Sequence, residues 1–447
     1  MKSIRIGSGA GYSDDRLEPA LDIIRHGSVD YIVFECLAER TIAIAQQRKM
    51  KNSDKGYDSL LEYRMEQVLP LCVENKVKVV TNMGAANPEA AAKMIKQIAE
   101  NQGLHNLKIA AVTGDDVFSE IGRYQDKTLL ENNKQIQDLG ASIVSANAYI
   151  GAKGIVQALE AGADIVITGR AADPSLFLAP MIFEFGWSFE DADLLGKGTI
   201  GGHLMECGAQ ITGGYFADPG YKDVPELWNV GFPIMEVDEK GEYQISKLED
   251  AGGLVSLATV KEQLLYEIHD PANYLTPDVI ADFTNVQVEE VANDVVKVFG
   301  GSGKSKTGLL KTSIGYKEGY IAEAEISYGG AGAVARAQLA KTIIEKRLAA
   351  QNIEAIEMRY DFIGLNSLYG NALASTQEAP EARLRVAART DDERVAKAIV
   401  REVESLYTNG PAGGGGIRSN IKEIVSIGSI LIPEADTDIN VSYWEVI

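Results

Sequence analysis

The sequence has few cysteines and no long apolar run, and these two absences exclude several classes of protein. Only three cysteines occur among 447 residues, too few for a disulfide framework. No uninterrupted apolar run reaches about 18 residues, the length that a membrane-spanning helix needs. The start of the chain leads directly into a predicted strand, without the apolar stretch of a signal peptide. We therefore expect a cytoplasmic protein.

Basic charge is also scarce, because the formal net charge is −21 at pH 7. A phosphate backbone rewards clustered Lys and Arg, so the charge argues against nucleic-acid binding and, for the same reason, against binding to a membrane surface. An anionic small-molecule substrate stays compatible with this charge, since a few arginines and backbone amides can dominate a pocket. The remaining composition, with 45% hydrophobic and 24% charged residues, is typical of a globular protein.

The first half of the chain alternates short apolar runs with amphipathic ones, which predicts βαβ units and a mainly parallel sheet. The runs are continuous in Val and Ile rather than alternating, as expected where helices cover both faces of a sheet. We predict an α/β fold with an open, doubly wound sheet rather than a barrel. The predicted strands are Ile4–Ile6, Tyr31–Phe34, Val77–Thr81, Lys108–Val112, Ser142–Ser145 and Asp164–Thr168.

The length of the chain predicts two domains. The first is expected over residues 1–305 and includes an irregular, Gly-rich excursion at about 177–300. The second is expected over residues 306–447, where strands and helices follow one another in the order βαββαβ. This order is typical of a smaller, ferredoxin-like α+β unit.

Polar residues follow the predicted strands of the first domain. Ligands of parallel α/β sheets bind beyond the carboxyl ends of the strands, so these residues are candidates for substrate binding. Turns favour Gly, Asn and Asp in any case, but the arginines and Glu35 are harder to explain in that way. The candidates are Gly9, Gly11, Asp15, Arg16, Glu35, Asn82, Asp115, Asn147, Arg170 and Asp173.

The glycines of residues 7–11 also suggest a dinucleotide-binding loop, with Glu35 in the place of a ribose-binding acid. Tyr12, however, stands where that pattern needs a small residue, and three charged residues follow soon after. A looser loop that cradles a phosphate or carboxylate with backbone amides fits better. No cofactor and no metal site are therefore predicted.

The densest chemistry lies in residues 201–210. On a helix, His203 would share a face with Glu206 or Cys207 and with Gln210. Such side chains can act as acid, base or nucleophile, although a buried Cys and a capping Glu would explain them without catalysis. A zinc site would need further ligands, since neither CxxC nor HxxxH occurs.

A second glycine-rich segment covers residues 410–418. Gly414 and Gly415 permit close approach of the backbone to a ligand, and Arg418 could complete an anion clamp. A flexible linker is the alternative interpretation of this segment.

Several of these segments together resemble the acyclic terpene utilisation family, AtuA-like, over nearly the whole chain. The resemblance rests on residues 7–16, on 146–173 with Gly169-Arg170-x-x-Asp173, on 202–216 with Glu206-Cys207-Gly208-Ala209-Gln210, and on 262–279. It implies a role in the breakdown of citronellol- and geraniol-type acids through CoA thioesters, and a ferredoxin-like C-terminal part. It assigns no catalytic residue.

These observations lead to the hypothesis of a cofactor-independent lyase or hydratase that acts on a branched-chain acyl-CoA or a multi-carboxylate. Glu206 or His203 would be its base, Cys207 an acid or nucleophile, and Arg16 and Arg170 would clamp a carboxylate. The alternatives are a binding or assembly subunit of a multienzyme complex and an NAD(P)-dependent oxidoreductase. We expect a homo-oligomer, and a partner chain that completes the site is a further alternative. The exact substrate, the choice between hydration, C–C cleavage and isomerisation, and the metal requirement do not follow from the sequence.

Overall fold

A computed structural model describes residues 2–372 and 379–447, which divide into two compact units. The first unit comprises residues 1–315 and 427–447, and the second comprises residues 316–426. The sequence had suggested a boundary after residue 305 and a second domain that runs to the end of the chain. The last residues belong instead to the first unit, because the final strand (Asn440–Val446) pairs antiparallel with the strand Leu107–Thr113.

The strands are numbered in chain order. They are β1 (Ser3–Ala10), β2 (Tyr31–Phe34), β3 (Lys78–Thr81), β4 (Leu107–Thr113), β5 (Ile143–Ala148), β6 (Ile165–Thr168), β7 (Ile234–Asp238), β8 (Tyr243–Ser246), β9 (Tyr274–Leu275), β10 (Ile280–Asp282), β11 (Gln287–Ala292), β12 (Val295–Phe299), β13 (Ser302–Lys304), β14 (Leu309–Gly329), β15 (Glu357–Ile363), β16 (Glu381–Thr390), β17 (Gly415–Pro433) and β18 (Asn440–Val446).

The helices are numbered in the same way. They are α1 (Glu18–His26), α2 (Glu39–Lys51), α3 (Leu61–Asn75), α4 (Pro88–Asn101), α5 (Ile136–Leu139), α6 (Lys153–Glu160), α7 (Asp173–Phe185), α8 (Ala192–Glu206), α9 (Leu257–Leu265), α10 (Ala333–Ala350) and α11 (Glu393–Asn409). None of the helices formed by the described residues has the length and apolarity needed to cross a bilayer.

The first unit is built on a mixed sheet in the order β11-β12-β8-β7-β1-β2-β3-β6-β4-β18. Its central strands β1, β2, β3, β6 and β4 are parallel. On one side of them β7 runs antiparallel to β1, and on the other side β18 runs antiparallel to β4. Side chains of α1, α3 and α4 pack on one face of the parallel strands, and those of α6, α7 and α8 pack on the other. The prediction of an α/β fold with parallel strands is confirmed.

One predicted strand lies elsewhere. The run at 142–145 does form β5, but β5 pairs with β14 and is not part of the main sheet. Asn147, expected in the loop after this strand, lies within β5 instead.

The stretch 177–300, expected to be irregular, contains most of α7, all of α8 and α9 and the strands β7–β12, while residues 207–233 are mostly turns. Helices α7 and α8 pack closely on each other, and a Cβ at Gly202 would come within 2.6 Å of the Pro174 carbonyl oxygen. Asp191 caps α8 by accepting a hydrogen bond from the Leu194 N–H at 3.1 Å. The glycines that suggested turns therefore allow two helices to pack closely. Strands β7, β8, β12 and β11 extend the main sheet beyond β1.

The second unit contains the end of β14, then α10, β15, β16, α11 and the start of β17. Its sheet has the order β15-β16-β14-β17, with β16 antiparallel to both β14 and β15. Alternate residues of β16 are buried, among them Leu384 and Val386, and they pack in one core with α10 and α11. One face of this sheet is therefore covered by both helices.

Candidate active site

Three neighbouring parallel strands of the main sheet, β2, β3 and β6, are followed by polar residues that lie close together. Glu35 follows β2, and its Oε1 accepts hydrogen bonds from the Asn82 side-chain amide and the Leu37 N–H, both at 2.8 Å. Asn82 follows β3, is fully buried, and accepts a hydrogen bond from the Cys36 N–H at 2.8 Å. Adjacent parallel strands end at one edge of a sheet, so their loops bring Glu35 and Asn82 together.

Arg170 follows β6 and is a buried cation, 1% exposed. Its guanidinium donates hydrogen bonds to the Leu37 carbonyl and, at 2.8 Å, to Asp173 Oδ1. It lies over the ring of Tyr149 at 4.0 Å from the ring centroid. Its Nε has no hydrogen-bond partner within residues 2–372 and 379–447. A buried cation of this kind needs carboxylates around it, and the loops supply them.

The carboxyl groups around Arg170 have pKa values that are shifted in opposite directions. Burial raises the pKa of Glu35 well above its usual value, and the charge of Asp173 adds to the effect. Burial also opposes ionisation of Glu39. The hydrogen bond from Tyr149 (2.6 Å) and the charges of Arg170 and Lys311 outweigh this effect and lower the pKa of Glu39 to about 2. Neighbouring acids with divergent pKa values are a common feature of sites that transfer protons.

His203 and Glu206 form a buried pair in the last turn of α8. His203 Nδ1 lies 2.9 Å from Glu206 Oε1, and His203 Nε2 lies 2.9 Å from the Gln263 carbonyl oxygen. The carbonyl can only accept, so Nε2 carries a proton and donates it. Burial lowers the pKa of His203 to about 4, so the ring is neutral at pH 7 and Nδ1 has a lone pair.

Glu206 must therefore carry the proton of its hydrogen bond to His203. Burial holds the pKa of Glu206 well above its usual value, which agrees with a neutral carboxylic acid. Its second oxygen, Oε2, has no hydrogen-bond partner in the described part of the chain. Glu206 is thus a protonated acid that is hydrogen-bonded to a neutral imidazole, and this imidazole is itself held by the Gln263 carbonyl.

Cys207 and Gln210 follow directly after this pair. Cys207 ends α8, and burial raises the pKa of its thiol, so the sulfur is protonated at neutral pH rather than a thiolate nucleophile. Gln210 lies in a short 3₁₀ turn and hydrogen-bonds with Tyr266. The predicted helical face therefore holds for His203 and Glu206, while Gln210 lies beyond the end of the helix.

The glycines near the end of β1 are explained by packing. A Cβ at Gly9 would come within 2.6 Å of the Phe34 ring, and one at Gly11 within 2.2 Å of the Cys207 backbone. Asp15 accepts a hydrogen bond from the Gly11 N–H at 2.8 Å. Backbone contact between the residue 11 region and Cys207 brings the end of β1 beside the His203–Glu206 pair.

Arg16 lies apart from this group. Its guanidinium donates to the Trp228 carbonyl at 2.6 Å, and it lines a cavity of about 820 Å³ between α1 and residues 228–251. Acidic residues, among them Glu18 and Asp22, line the same cavity. We had expected Arg16 to clamp the substrate beside Arg170. Arg16 is exposed just before α1, and its guanidinium contacts the Trp228 carbonyl instead of the residues around Arg170.

Asp115 and Asn147 hold the backbone of Arg170 in place through hydrogen bonds. Asp115 Oδ2 accepts hydrogen bonds from the Arg170 backbone N–H and the Asn147 side-chain amide, both at 2.9 Å. Burial raises the pKa of Asp115 to about 6. These contacts fix the main chain of Arg170, so both residues act on the site through Arg170.

Gly414 and Gly415 belong to the second unit, at the start of β17. A Cβ at Gly414 would come within 3.0 Å of the Ile326 side chain, so this glycine permits close packing within that unit.

Several residues of the site were not predicted from the sequence. Tyr149 stacks on Arg170, and Gln263 holds His203 through its carbonyl oxygen. Arg64, which is 1% exposed, lies with its guanidinium 2.9 Å from Cys36 Sγ and donates to the Asp15 carbonyl at 3.0 Å. Arg64 on α3 and Gln263 on α9 carried no local signal, and Tyr149, in the loop after β5, lies within the segment 146–173 that suggested the family. Among the described residues, no group of three or more His, Cys, Asp or Glu side chains could hold a metal ion.

The fold and this site define an α/β protein in which a neutral carboxyl–imidazole pair lies within electrostatic range of a buried arginine that follows a parallel strand. The family model described as acyclic terpene utilisation family protein AtuA matches residues 4–443, and the chain belongs to this family. The resemblance found in the sequence is thereby confirmed. No curated protein and no solved structure matched the chain.

Proposed function

We propose that this chain is a cofactor-independent lyase, either a hydro-lyase or a C–C lyase, that acts on a branched acyl-CoA or a multi-carboxylate. Membership of the family places the protein in the context of acyclic terpene utilisation. The observation that carries the proposal is the pair formed by His203 and Glu206, a neutral acid with one unpartnered oxygen beside an anchored imidazole. An acid that stays protonated at neutral pH is what the loss of a hydroxyl group as water requires.

Arg170 and the residues around it support the same elimination chemistry, because they can stabilise negative charge on the substrate. The guanidinium keeps positive charge in a largely buried place, where it acts over a low dielectric. Negative charge that develops on a substrate carbonyl would be stabilised by such a group. Asp173 hydrogen-bonds to Arg170 and its side chain is 31% exposed, so the group reaches solvent on this side. In this proposal Arg170 stabilises an enolate while Glu206 supplies a proton.

In the hydro-lyase form of the reaction, a base removes a proton from the carbon beside the thioester or carboxyl carbonyl. The C–O bond of the β-hydroxyl group then breaks as the C=C bond forms. The hydroxyl leaves as water with the proton of Glu206, which moves from its hydrogen bond with His203 Nδ1 to the leaving oxygen. His203 is a positioning residue in this scheme, because its Nε2 is tied to the Gln263 carbonyl and its Nδ1 orients the Glu206 carboxyl group until the proton is transferred.

The finer structural and cellular assignments are part of the same proposal. Helices on both faces of the parallel strands support a doubly wound sheet. The βαββαβ order of the second unit supports a ferredoxin-like class. The low cysteine content and the negative charge support a cytoplasmic location. A homo-oligomer is retained as a proposal, because most soluble oligomers assemble from identical chains.

The test begins with a thermal-shift screen of branched acyl-CoAs and di- and tricarboxylates, followed by turnover assays of every compound that stabilises the protein. A ligand at about 100 times its Kd stabilises the folded state by about 2.7 kcal/mol. Glu206→Gln should keep the thermal shift and lose turnover by about 10²–10⁴-fold, since it preserves the shape of the acid without its proton. Glu262→Gln, a change of an exposed glutamate on α9 that is paired with Lys222, is the matched control.

The outcomes separate the functions. Full turnover by Glu206→Gln would contradict the proposed role of this acid. Stabilisation of the wild type without turnover of any ligand would favour the binding or assembly subunit. Turnover that depends on NAD(P)H would favour the oxidoreductase.

A further inference from the structure

The proposed reaction lacks a base, and the segment after α9 supplies a candidate. The end of α9 is fixed to the site, because the Gln263 carbonyl accepts the hydrogen bond from His203 Nε2 at 2.9 Å and the Gln263 side chain donates to the His203 carbonyl at 3.4 Å. The Tyr266 N–H donates to that same Gln263 carbonyl at 3.2 Å. Glu267 is the next residue. Its backbone position is therefore set by the contact that holds the imidazole.

Glu267 has a left-handed backbone conformation, with φ of 59°. Residues with a long side chain rarely adopt this conformation, because the Cβ approaches the neighbouring carbonyl oxygen, whereas glycine adopts it without strain. Strain of this kind persists only where surrounding contacts hold the residue in place, as the hydrogen bond from the Tyr266 N–H to the Gln263 carbonyl does here. The conformation also carries the chain from the end of α9 towards β9, whose Tyr274 packs on the His203 ring at 5.8 Å between centroids.

The charge of Glu267 acts on groups at the ends of two helices, α8 and α7. Its carboxylate raises the pKa of Glu206 and of Cys207 at the end of α8, and that of Asp173 at the start of α7. It also hydrogen-bonds with Tyr266. Glu206 is buried, whereas Glu267 is exposed. Tyr266 hydrogen-bonds with both Glu267 and Gln210, so the exposed Glu267 is linked through Tyr266 to the segment that follows Glu206.

We propose that Glu267 is the general base of this site, a proposal that rests on the function proposed above. The Glu267 carboxylate removes the proton from the carbon beside the substrate carbonyl, and the electron pair of that C–H bond moves into the enolate. The β C–O bond then breaks, the C=C bond forms, and the hydroxyl leaves as water with the proton of Glu206. After the reaction Glu267 is protonated and Glu206 is ionised, so no oxidant or other reactant is needed.

Isotope exchange separates the base from the acid. The probes are saturated branched acyl-CoAs in D₂O, with NMR detection of deuterium at the carbon beside the thioester, because exchange at this carbon needs the base alone. Wild type and Glu206→Gln should both exchange this proton. Glu267→Gln should exchange at least about 100-fold more slowly. The control Glu262→Gln, five residues earlier on the same segment, should exchange at the wild-type rate.

Two failures are distinguishable in this experiment. If wild type neither exchanges nor turns over any probe, the proposed function is wrong and the assignment of Glu267 is lost with it. If wild type exchanges and Glu267→Gln exchanges equally fast, the proposed function stands and Glu267 is not the base.

A stability measurement tests the strain without any substrate. Glu267→Gly should raise the Tm of the protein by about 2 °C, because glycine relieves the left-handed conformation. Lys76→Gly is the matched control, since Lys76 has φ of 57° at the end of α3 and should show a similar rise. A rise in Tm for both variants with loss of exchange only in Glu267→Gly is the expected result. Unimpaired exchange in Glu267→Gly would overturn the proposal.

Discussion

Replacing Arg170 by methionine tests how far the first unit depends on its buried cation. The side chain is 1% exposed and donates hydrogen bonds to the Leu37 carbonyl and to Asp173. It also stacks on Tyr149. Methionine preserves much of the apolar stem but removes the charge, so the carboxyl groups that surround Arg170 lose their counter-ion.

The expected loss of stability can be worked out from these contacts. Removing one partner of a buried ion pair costs about 3–5 kcal/mol, because the other charge remains buried and unpaired. The side chain of Asp173 is 31% exposed, which places the estimate at the lower end of this range. The stacking on Tyr149 adds about 1 kcal/mol, although such contributions are not strictly additive. We expect the first unit to lose about 3–4 kcal/mol near pH 7.

The loss should depend on pH in a defined direction. The pKa of Glu39 falls from 4.5 to about 2 in the folded state, partly through the charge of Arg170. A lowered carboxyl pKa contributes stability that is fully present above the unfolded pKa and is lost as the pH falls towards the folded pKa. The difference between wild type and Arg170→Met should therefore be largest at neutral pH and shrink between about pH 4.5 and pH 2.

Urea unfolding of wild type, Arg170→Met and Arg16→Met measures this effect, with the midpoint and slope fitted for the transition of the first unit. Arg16 is the control, because it is an exposed arginine that follows β1 of the same sheet and bonds to one carbonyl. Arg16→Met should cost less than about 1 kcal/mol. An equal loss for the two variants, or a loss for Arg170→Met that grows as the pH falls, would refute the reasoning.

Three further predictions follow from the site. Glu206→Gln should change the free energy of unfolding by less than about 0.5 kcal/mol near pH 7, because an amide still donates to His203 Nδ1. Glu206→Ala should cost about 1–3 kcal/mol by urea unfolding. A large loss for the Gln variant would mean that Glu206 is ionised. Gly11→Ala should cost about 1–3 kcal/mol, since its Cβ would meet the Cys207 backbone at 2.2 Å, while Gly122→Ala has open space and should be neutral; equal unfolding midpoints for the two variants would contradict this packing. Cys207 should react with iodoacetamide at least about tenfold more slowly than a free thiol near pH 8, as followed by mass spectrometry, and rapid labelling would show a thiolate.

The central part of the site could be predicted from the sequence because it depends on position along a parallel sheet. Glu35, Asn82 and Arg170 each follow a short apolar run, and such runs become adjacent strands whose ends converge. The spacing of three between His203 and Glu206 likewise places both side chains on one helical face, whatever the rest of the fold.

Arg16 shows the limit of this argument. It follows β1 as the other residues follow their strands, yet its side chain lies along α1 and contacts Trp228. The direction of a side chain after a strand depends on the helix that follows, and a sequence pattern does not contain that information. Trp228 lies more than two hundred residues away in the chain, so the contact between Arg16 and Trp228 cannot be predicted from the local sequence.

Helices α7 and α8 were not predicted from the sequence, for a different reason. Residues 174–182 of α7 are all buried, so the helix has no polar face and no period of 3.6 residues appears in its sequence. The glycines of α8, such as Gly198 and Gly202, resemble turn residues, but they allow close contact with α7. Glu267 was overlooked because its importance depends on a backbone conformation, which residue type alone does not indicate.

The protonation of His203 tests the central claim most directly. Nitrogen-15 NMR of the histidine side chains should show His203 as a neutral ring, with a proton on Nε2 and a hydrogen-bond-accepting Nδ1, and no titration between about pH 5 and pH 8. A doubly protonated ring at neutral pH would mean that Glu206 is a carboxylate. In that case the site would hold an ion pair, and the acid on which the proposed reaction depends would be absent.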